Sequence, residues 1–529
     1  MRAGGIWQVL DAARRANLHA AGEAAPAPGH EGETRRRVLK ALAATALVAG
    51  LPREVRAADG TGPVAIVGGG IAGLTALWTL THAGIDARLY EARPRLGGRM
   101  YTARGGSEPI ETGAQLVNTE HHDMAELART FGVGLIDRKA GRWRSLILAD
   151  GQPVAEADAV AAMRGIAAQM TKDADRLDRD QAHVAAELDR LSFATYLDRY
   201  ASRMPEPWVR RLLETTARTE YGVEPAQASA IELMFNLPSI EGARVDVLSR
   251  SDERYVIAGG SSALVDAMGA RMAKRIATGK KVAAINPRPG ADAAPGVRLV
   301  FADGSHVDAA AAIVATPASI TRRIAFGVPL PPLWKRFIAE ANLGRNEKVQ
   351  ATMRSRPWEA VTGRGGELWH ATAPAASGGV ASGWDGSVRP HPGGAVPGGG
   401  WTWYLGGDEV ERAAAGEALA QAQAWAKGVE AGVPGMARAT VSARRTAWHR
   451  DPMTMGGYIN FHPGQMTRFA PLIWVEEHGR AARPVASGGV HFAGEHLSDA
   501  FPGYMNGAAQ TGRLAAEAVM TQLTERAAA

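Results

Sequence analysis

Residues 64–67 (VAIV) form a short, uninterrupted apolar run rich in β-branched side chains, the pattern of a strand buried on both faces of a parallel sheet. Glycines follow at once, and residues 71–83 then carry apolar side chains on a helical period. Ala87–Tyr90 is a second strand-like run, and it ends on Glu91. This order predicts an α/β fold that begins with a strand–turn–helix–strand unit. Further along, the pattern predicts a helix opened by His121-His122, helices over 155–220 with charges on one face, a helix from about Ser262, and strands at Lys281–Ile285 and within 309–317. Residues 340–480 alternate strand-like runs such as KVQATM and WTWYLGG with loops, and a helix closes the chain. The Gly/Pro-rich stretch 363–401 reads as a loop region, either overhanging a substrate entrance or a solvated insertion.

Composition narrows the picture. A chain of 529 residues is too long for one ordinary domain. It contains no Cys, which excludes a disulfide scaffold, a thiolate metal site, an iron–sulfur cluster, a cysteine nucleophile and a cofactor bonded through a thioether. No apolar stretch reaches the length of a transmembrane helix. The net charge is +6, but residues 1–57 hold nine basic and five acidic side chains and contribute +4 of it. The remainder is nearly neutral, which gives no electrostatic case for nucleic acid.

That N-terminal charge has its own explanation. Thr34-Arg35-Arg36-Arg37-Val38-Leu39-Lys40 fits the twin-arginine export pattern. The short apolar stretch 41–51 and the small-residue site Val55-Arg56-Ala57 follow it. The expectation is a signal peptide over 1–57, the export machinery as a partner, and a periplasmic or secreted location.

Gly68, Gly70 and Gly73 spell G-x-G-x-x-G between the first strand and its helix. Gly68 permits the tight turn, Gly70 lets backbone approach a pyrophosphate, and Gly73 lets helix pack on strand. The helix N-terminus then offers free N–H groups to the phosphates. Glu91 accepts hydrogen bonds from ribose hydroxyls and repels a 2′-phosphate, which disfavours NADP. The motif alone does not choose between FAD and NAD.

The residues after Glu91 do. Glu91-Ala92-Arg93-Pro94-Arg95-Leu96-Gly97-Gly98-Arg99-Met100-Tyr101-Thr102 resembles the segment E-A-R-x-R-x-G-G-R-x-x-[ST] of the flavin-dependent amine oxidase family. A second match, HFAGEHLSDAFPGYMNGAAQTG at 491–512, resembles the family's C-terminal pattern. Gly259-Gly260 and the ATP turn near 315–317 resemble its central segments. The resemblance implies a Rossmann-like FAD-binding domain in three pieces (62–120, 248–325, 485–525). It also implies a mixed α+β substrate domain built from a helical part (121–247) and a second part (326–484), with the active site between the domains.

It further implies FAD held by Gly68, Gly70, Gly73, Glu91, Ala92, Arg93, Gly98, Arg99, backbone at Val282, Gly494, Glu495 and Met505. Paired glycines bring backbone to the phosphates and an arginine adds a fixed cation. The helix N-terminus at Met505 stabilises negative charge on the reduced ring. Lys348 resembles the family lysine that is linked through water to the flavin, ten residues before a tryptophan, here Trp358. Tyr458 and Tyr504 resemble an aromatic cage for the amine. Relatives bonded to flavin carry a cysteine where Gly457 stands, so FAD is expected to be non-covalent. His121, His122, His462, His491 and His496 lack the spacing and carboxylate support of a metal site, so no metal is expected.

The implied activity is hydride transfer from a small-molecule amine to flavin, with O₂ as acceptor and hydrogen peroxide as product. Three alternatives stay open. An L-amino-acid oxidase needs a cation for the substrate carboxylate, often an arginine after E-x-G-x-x; here Glu111-Thr112-Gly113-Ala114-Gln115 is followed by Leu116. A flavin desaturase or isomerase would lack the lysine and tyrosine pattern. A flavoprotein that only binds would not need it. A homodimer is a further open expectation.

Overall fold

The computed structural model describes residues 5–23, 27–28, 62–104, 109–140, 145–235, 238–241, 244–247, 252–289, 296–363, 366–371, 380, 382–388 and 398–528. The twin-arginine motif and the small-residue site lie outside them.

The fold is mixed α/β and is organised around two sheets. The first gathers short strands from three distant stretches of chain, in the order Ile276–Ala277, Ala87–Tyr90, Val64–Val67, Ala311–Val314, Val490–Phe492 and Ala486–Ser487. Neighbours are parallel except the last pair. Val64–Val67 and Ala311–Val314 are fully buried, which explains their unbroken apolar sequence. The helix Ile71–His82 leaves the first strand and packs against the closing helix Met505–Ala528. Ligands of such sheets bind outside the carboxyl ends of the strands, and Val67 and Tyr90 both face a cavity there.

The second sheet has seven strands, in the order Thr440–Arg445, Asn346–Met353, Gly399–Gly406, Ser382–Asp385, Glu367–His370, Ser145–Ala149 and Gln152–Val154. Its register aligns one row of side chains: Lys348 opposite Tyr404, Tyr404 opposite Ser382, and Ser382 opposite Trp369. The row two residues along holds Gln350, Thr402, Trp384 and Glu367. Because side chains alternate along a strand, both rows share one face. The other face carries Val349, Ala351, Trp401, Trp403, Leu405 and Leu368 into a separate core with Trp358 and Trp425.

One expectation changes here. The stretch 363–401 is not simply a loop: it supplies the strands Glu367–His370 and Ser382–Asp385 and the start of Gly399–Gly406. Its tryptophans, buried between sheet neighbours, override its glycine and proline content. Trp358 opens a short helix, Trp358–Thr362, and lies tilted against Trp401, ring centroids 4.9 Å apart, in the core behind the sheet and outside the lining of the cavity that Lys348 lines.

Helices cover the remainder. Glu156–Arg179, Gln181–Asp189, Phe193–Arg199 and Pro207–Tyr221 account for the helical stretch, and the last begins with Pro and ends at Gly222 in a left-handed cap. The helix Gly5–Ala20 packs on Glu156–Arg179 with Val9, Leu10 and Ala13 buried. Asn17 and Arg164 exchange hydrogen bonds across that contact at 2.8 and 3.0 Å. This helix therefore docks on the folded body, although it lies within the stretch 1–57.

Candidate active site

One cavity of about 370 Å³ runs from the glycine turn of the first sheet to the polar face of the second. At the first end, a Cβ on Gly73 would collide with the carbonyl oxygen of Gly68, so only glycine lets helix and turn approach this closely. A Cβ on Gly70 would meet no protein atom within 4 Å, and Gly70 lines the cavity. The free space lies where a pyrophosphate would sit, at the N-terminus of Ile71–His82. The residues present thus fit a dinucleotide.

The acids of this end are held by local donors. Glu91 Oε2 accepts from the Gly69 amide at 2.6 Å and Oε1 from the Arg93 amide at 2.7 Å. Glu495 accepts from Arg99 at 2.7 Å and from the Gly503 amide at 2.8 Å. The two predicted arginines are themselves compensated. Arg93 makes a bidentate pair with Asp451 at 2.6 and 3.0 Å, and Arg99 pairs with Glu495. Neither is an isolated cation, so any contact they make with phosphate is shared with a carboxylate. Ala92, Gly98, Val282, Gly494 and Met505 all line the same cavity, and Met505 is the first residue of the closing helix.

Lys348 lines the middle of the cavity and is buried. Its ammonium donates to the carbonyl of Gly113 at 2.7 Å, to Gln115 Oε1 at 3.3 Å and to the carbonyl of Glu111 at 3.4 Å. Burial pulls its pKa down to about 8, against the opposing attraction of Glu111 and Glu253. Behind it, Glu111 accepts from Ser261 and Thr102, and burial raises its carboxyl above the usual range.

Tyr458 and Tyr504 both line the cavity. The Tyr458 hydroxyl is tied to Tyr404 Oη at 2.7 Å and donates to the carbonyl of Thr219. Burial and the neighbouring Tyr404 raise its pKa. Tyr504 is braced edge-on by His121, ring centroids 5.0 Å apart. His121 thus does more than open a helix. It is fully buried, accepts the Asn118 amide at 3.1 Å, and burial drops its pKa to about 3, so it is neutral.

The far wall was not anticipated. Trp369, Trp384 and Tyr404 contribute aromatic faces from the second sheet, and Glu220, Glu232, Glu253 and Glu367 contribute carboxyl groups. The alternation inside WTWYL signals Tyr404 alone; Trp369 and Trp384 lie within the Gly/Pro-rich stretch, and the acids carry no spacing signal.

Comparisons with known proteins now bear on this geometry. The family model described as "Flavin containing amine oxidoreductase" matches residues 71–520. The chain belongs to the flavin-containing amine oxidoreductases. It is 27% identical to (S)-6-hydroxynicotine oxidase of Paenarthrobacter nicotinovorans, over 86% of this chain and 98% of that protein. It is 22% identical to an L-amino acid dehydrogenase of Synechocystis, over 86% and 94%. Among solved structures, cyclohexylamine oxidase from Brevibacterium oxydans superposes with a TM-score of 0.72 at 23% identity, covering 88% of this chain and all of that one. Membership of this family implies a bound flavin and a small-molecule substrate. Of the predicted flavin-binding residues all but Gly73, which packs the helix on the turn, line this cavity, and so do Lys348, Tyr458 and Tyr504.

Proposed function

We propose that this flavoenzyme is an FAD-dependent amine oxidase that converts an amine and O₂ to an imine and hydrogen peroxide, the imine then hydrolysing to a carbonyl compound. The observation that carries the reading is the continuity of the cavity: one space joins the Gly70 cradle to an aromatic, acid-lined wall, with Lys348 between them. FAD would be held by Gly68, Gly70, Gly73, Glu91, Ala92, Arg93, Gly98, Arg99, Val282, Gly494, Glu495 and Met505. Without a cysteine in the chain, it would be held without a thioether bond. When bound, FAD accepts a hydride equivalent from the α-carbon of the neutral amine and passes two electrons to O₂.

The protein's share is placement. Tyr458 and Tyr504 align the amine, and the hydroxyl pair Tyr404–Tyr458 fixes one ring. The apolar walls exclude water and favour the uncharged amine over its ammonium. Lys348, as an ammonium, stabilises negative charge that develops on oxygen. An L-amino-acid substrate is less well served, because the substrate end is lined by carboxyl groups and Leu116 stands where an arginine would bind a carboxylate.

The test is a peroxide-coupled screen of primary, secondary and polyamines beside the twenty amino acids. Peroxide from amines alone supports the reading; peroxide from amino acids alone moves it to the second one, and reduction without peroxide means another acceptor. Acid precipitation should release the yellow colour into the supernatant; colour retained in the pellet would mean a covalent link. We also propose twin-arginine export, which the variant with Arg35 and Arg36 both changed to Lys should block.

A further inference from the structure

Glu347 precedes Lys348 on the strand Asn346–Met353, and because side chains alternate it points away from the cavity, on the face of Val349 and Ala351. Its side chain is 1% exposed. A buried carboxylate is harder to keep there than an apolar side chain of similar size, so its partners matter. Oε2 accepts from the Thr446 hydroxyl. Oε1 accepts from the His449 amide at 3.0 Å, and Nδ1 of the same histidine's ring stands 2.7 Å from it. His449 in turn places Nε2 3.2 Å from Glu411, which pairs with Arg450 at 2.6 Å.

Both partners lead to Lys348. The strand Thr440–Arg445 pairs with the lysine's strand as far as Val349 opposite Arg445. One step further, the Thr446 amide donates to the Lys348 carbonyl at 2.9 Å, but the Lys348 amide donates to the Thr446 hydroxyl, also at 2.9 Å. The ladder therefore ends on a side chain, and Glu347 fixes that side chain by accepting its one proton. On the other path, His449 belongs to the turn Trp448–Arg450. Trp448 lines the cavity and donates from Nε1 to the Thr112 carbonyl at 2.8 Å. The next carbonyl, that of Gly113, accepts from the Lys348 ammonium at 2.7 Å. That stretch is pinned as well: the amides of Thr112 and Ala114 donate to the carbonyls of Tyr101 and Arg99, each at 3.0 Å.

The amide and the ammonium of one lysine thus end on a single frame, and its two arms meet at Glu347. We propose that Glu347, Thr446 and His449 are positioning residues for Lys348: they stand outside the lining of the cavity and set where the ammonium sits while oxygen is reduced. The proposal rests on the amine oxidase reading, in which Lys348 stabilises charge on oxygen, and deepens it. An electrostatic partner acts by being in place before charge develops, so a displacement of about 1 Å removes much of its effect.

The experiment uses flavin-loaded Thr446→Val, Thr446→Ser and Glu347→Gln beside the parent enzyme, each alone and combined with Lys348→Met. Stopped-flow mixing of reduced enzyme with O₂ gives the reoxidation rate. A second measurement needs no turnover: lysine isotopically labelled at Cε and Nζ reports the Lys348 resonance in the oxidised enzyme, identified by its absence from Lys348→Met. Reoxidation should slow about ten- to a hundredfold in Thr446→Val and Glu347→Gln, with anaerobic reduction slowed less. The Lys348 resonance should shift in the same two variants, and Thr446→Ser, which keeps the hydroxyl, should match the parent in both measurements. On the Lys348→Met background the same changes should slow reoxidation by less than about twofold more, because nothing is left to place.

Equal slowing on both backgrounds means a general loosening of the fold and overturns the proposal, as does parent-like reoxidation in Thr446→Val and Glu347→Gln. Parent-like reoxidation in Lys348→Met removes the lysine from the oxygen step and the proposal with it, while amine oxidation stands on the reductive half-reaction. If no amine reduces the flavin, the oxidase reading falls, and the Lys348 resonance alone decides: shifted in Thr446→Val and not in Thr446→Ser, the frame stands; unshifted, it falls too. His449→Phe, a change at the edge of the frame, gives the same comparison where either of the other sites fails to fold.

Discussion

At the dinucleotide end of the cavity, each buried carboxylate has donors in place: Glu91 has the amides of Gly69 and Arg93, and Glu495 has Arg99 and the Gly503 amide. At the amine end, Glu220 and Glu253 face Glu367 and each other, and Lys139 is already committed to Glu367. The two ends therefore differ in how they are built. At the first, a glycine holds open the space that a ligand would fill. The second crowds acids around buried cations, with Lys139 on Glu367 and with Arg138 and Lys348 within electrostatic reach of Glu253. Open space beside a glycine is fixed by the backbone before anything binds; buried acids crowded together hold some of their protons near neutral pH.

That contrast can be broken in four places. The largest effect is expected from Gly73→Ala, because the new methyl group meets backbone that has no freedom to move. It should cost about 3 kcal/mol or more and leave protein without flavin, read from the ratio of visible to ultraviolet absorbance and from thermal unfolding. Lys348→Met should slow flavin reoxidation by up to about a thousandfold while slowing anaerobic reduction less, since reduction depends on alignment. Stopped-flow measurement of the two half-reactions separates these. In the parent enzyme reoxidation should decline as pH rises through about 8, where Lys348 loses its proton, and Lys348→Met should lack that decline.

The next two are smaller. Lys139→Met leaves Glu367 buried without its partner, and should lower unfolding stability by about 3 kcal/mol in denaturant titration. Gly70→Ala is the sharpest test of the volume argument. Its Cβ touches nothing in the protein, so the apoprotein should melt unchanged, while flavin affinity falls by about 1–3 kcal/mol. Equal loss in both would mean that Gly70 serves the fold and not the ligand.

The same contrast explains what could be read from the chain. Gly68, Gly70, Gly73 and Glu91 act within one turn and its flanking strands, so their spacing along the sequence is their spacing in space. Lys348, Gln350, Thr402 and Tyr404 were half-legible: the alternation with Val349, Ala351, Trp401 and Trp403 marks a two-sided strand. Which side meets the cavity depends on neighbours that the alternation does not name. The strand content of 363–401 was hidden because glycine and proline dominate the stretch, while the residues that pair, Glu367–His370 and Ser382–Asp385, are few. Glu220, Glu253 and Glu367 meet only because a helix end, a strained segment and a strand converge, and no local pattern encodes that.

The docked helix Gly5–Ala20 has a consequence for maturation. If export ends with cleavage after Ala57, the cut severs the covalent tie of a packed element of the fold. Val9, Leu10 and Ala13 leave the core with it, and Arg164 of the partner helix loses its exchange of hydrogen bonds with Asn17. Processing is then a controlled step down in stability, and the precursor is the hardier molecule. Precursor and a chain beginning at residue 58, compared by thermal unfolding, should differ in melting temperature, and a separate peptide of residues 5–28 should restore part of the loss.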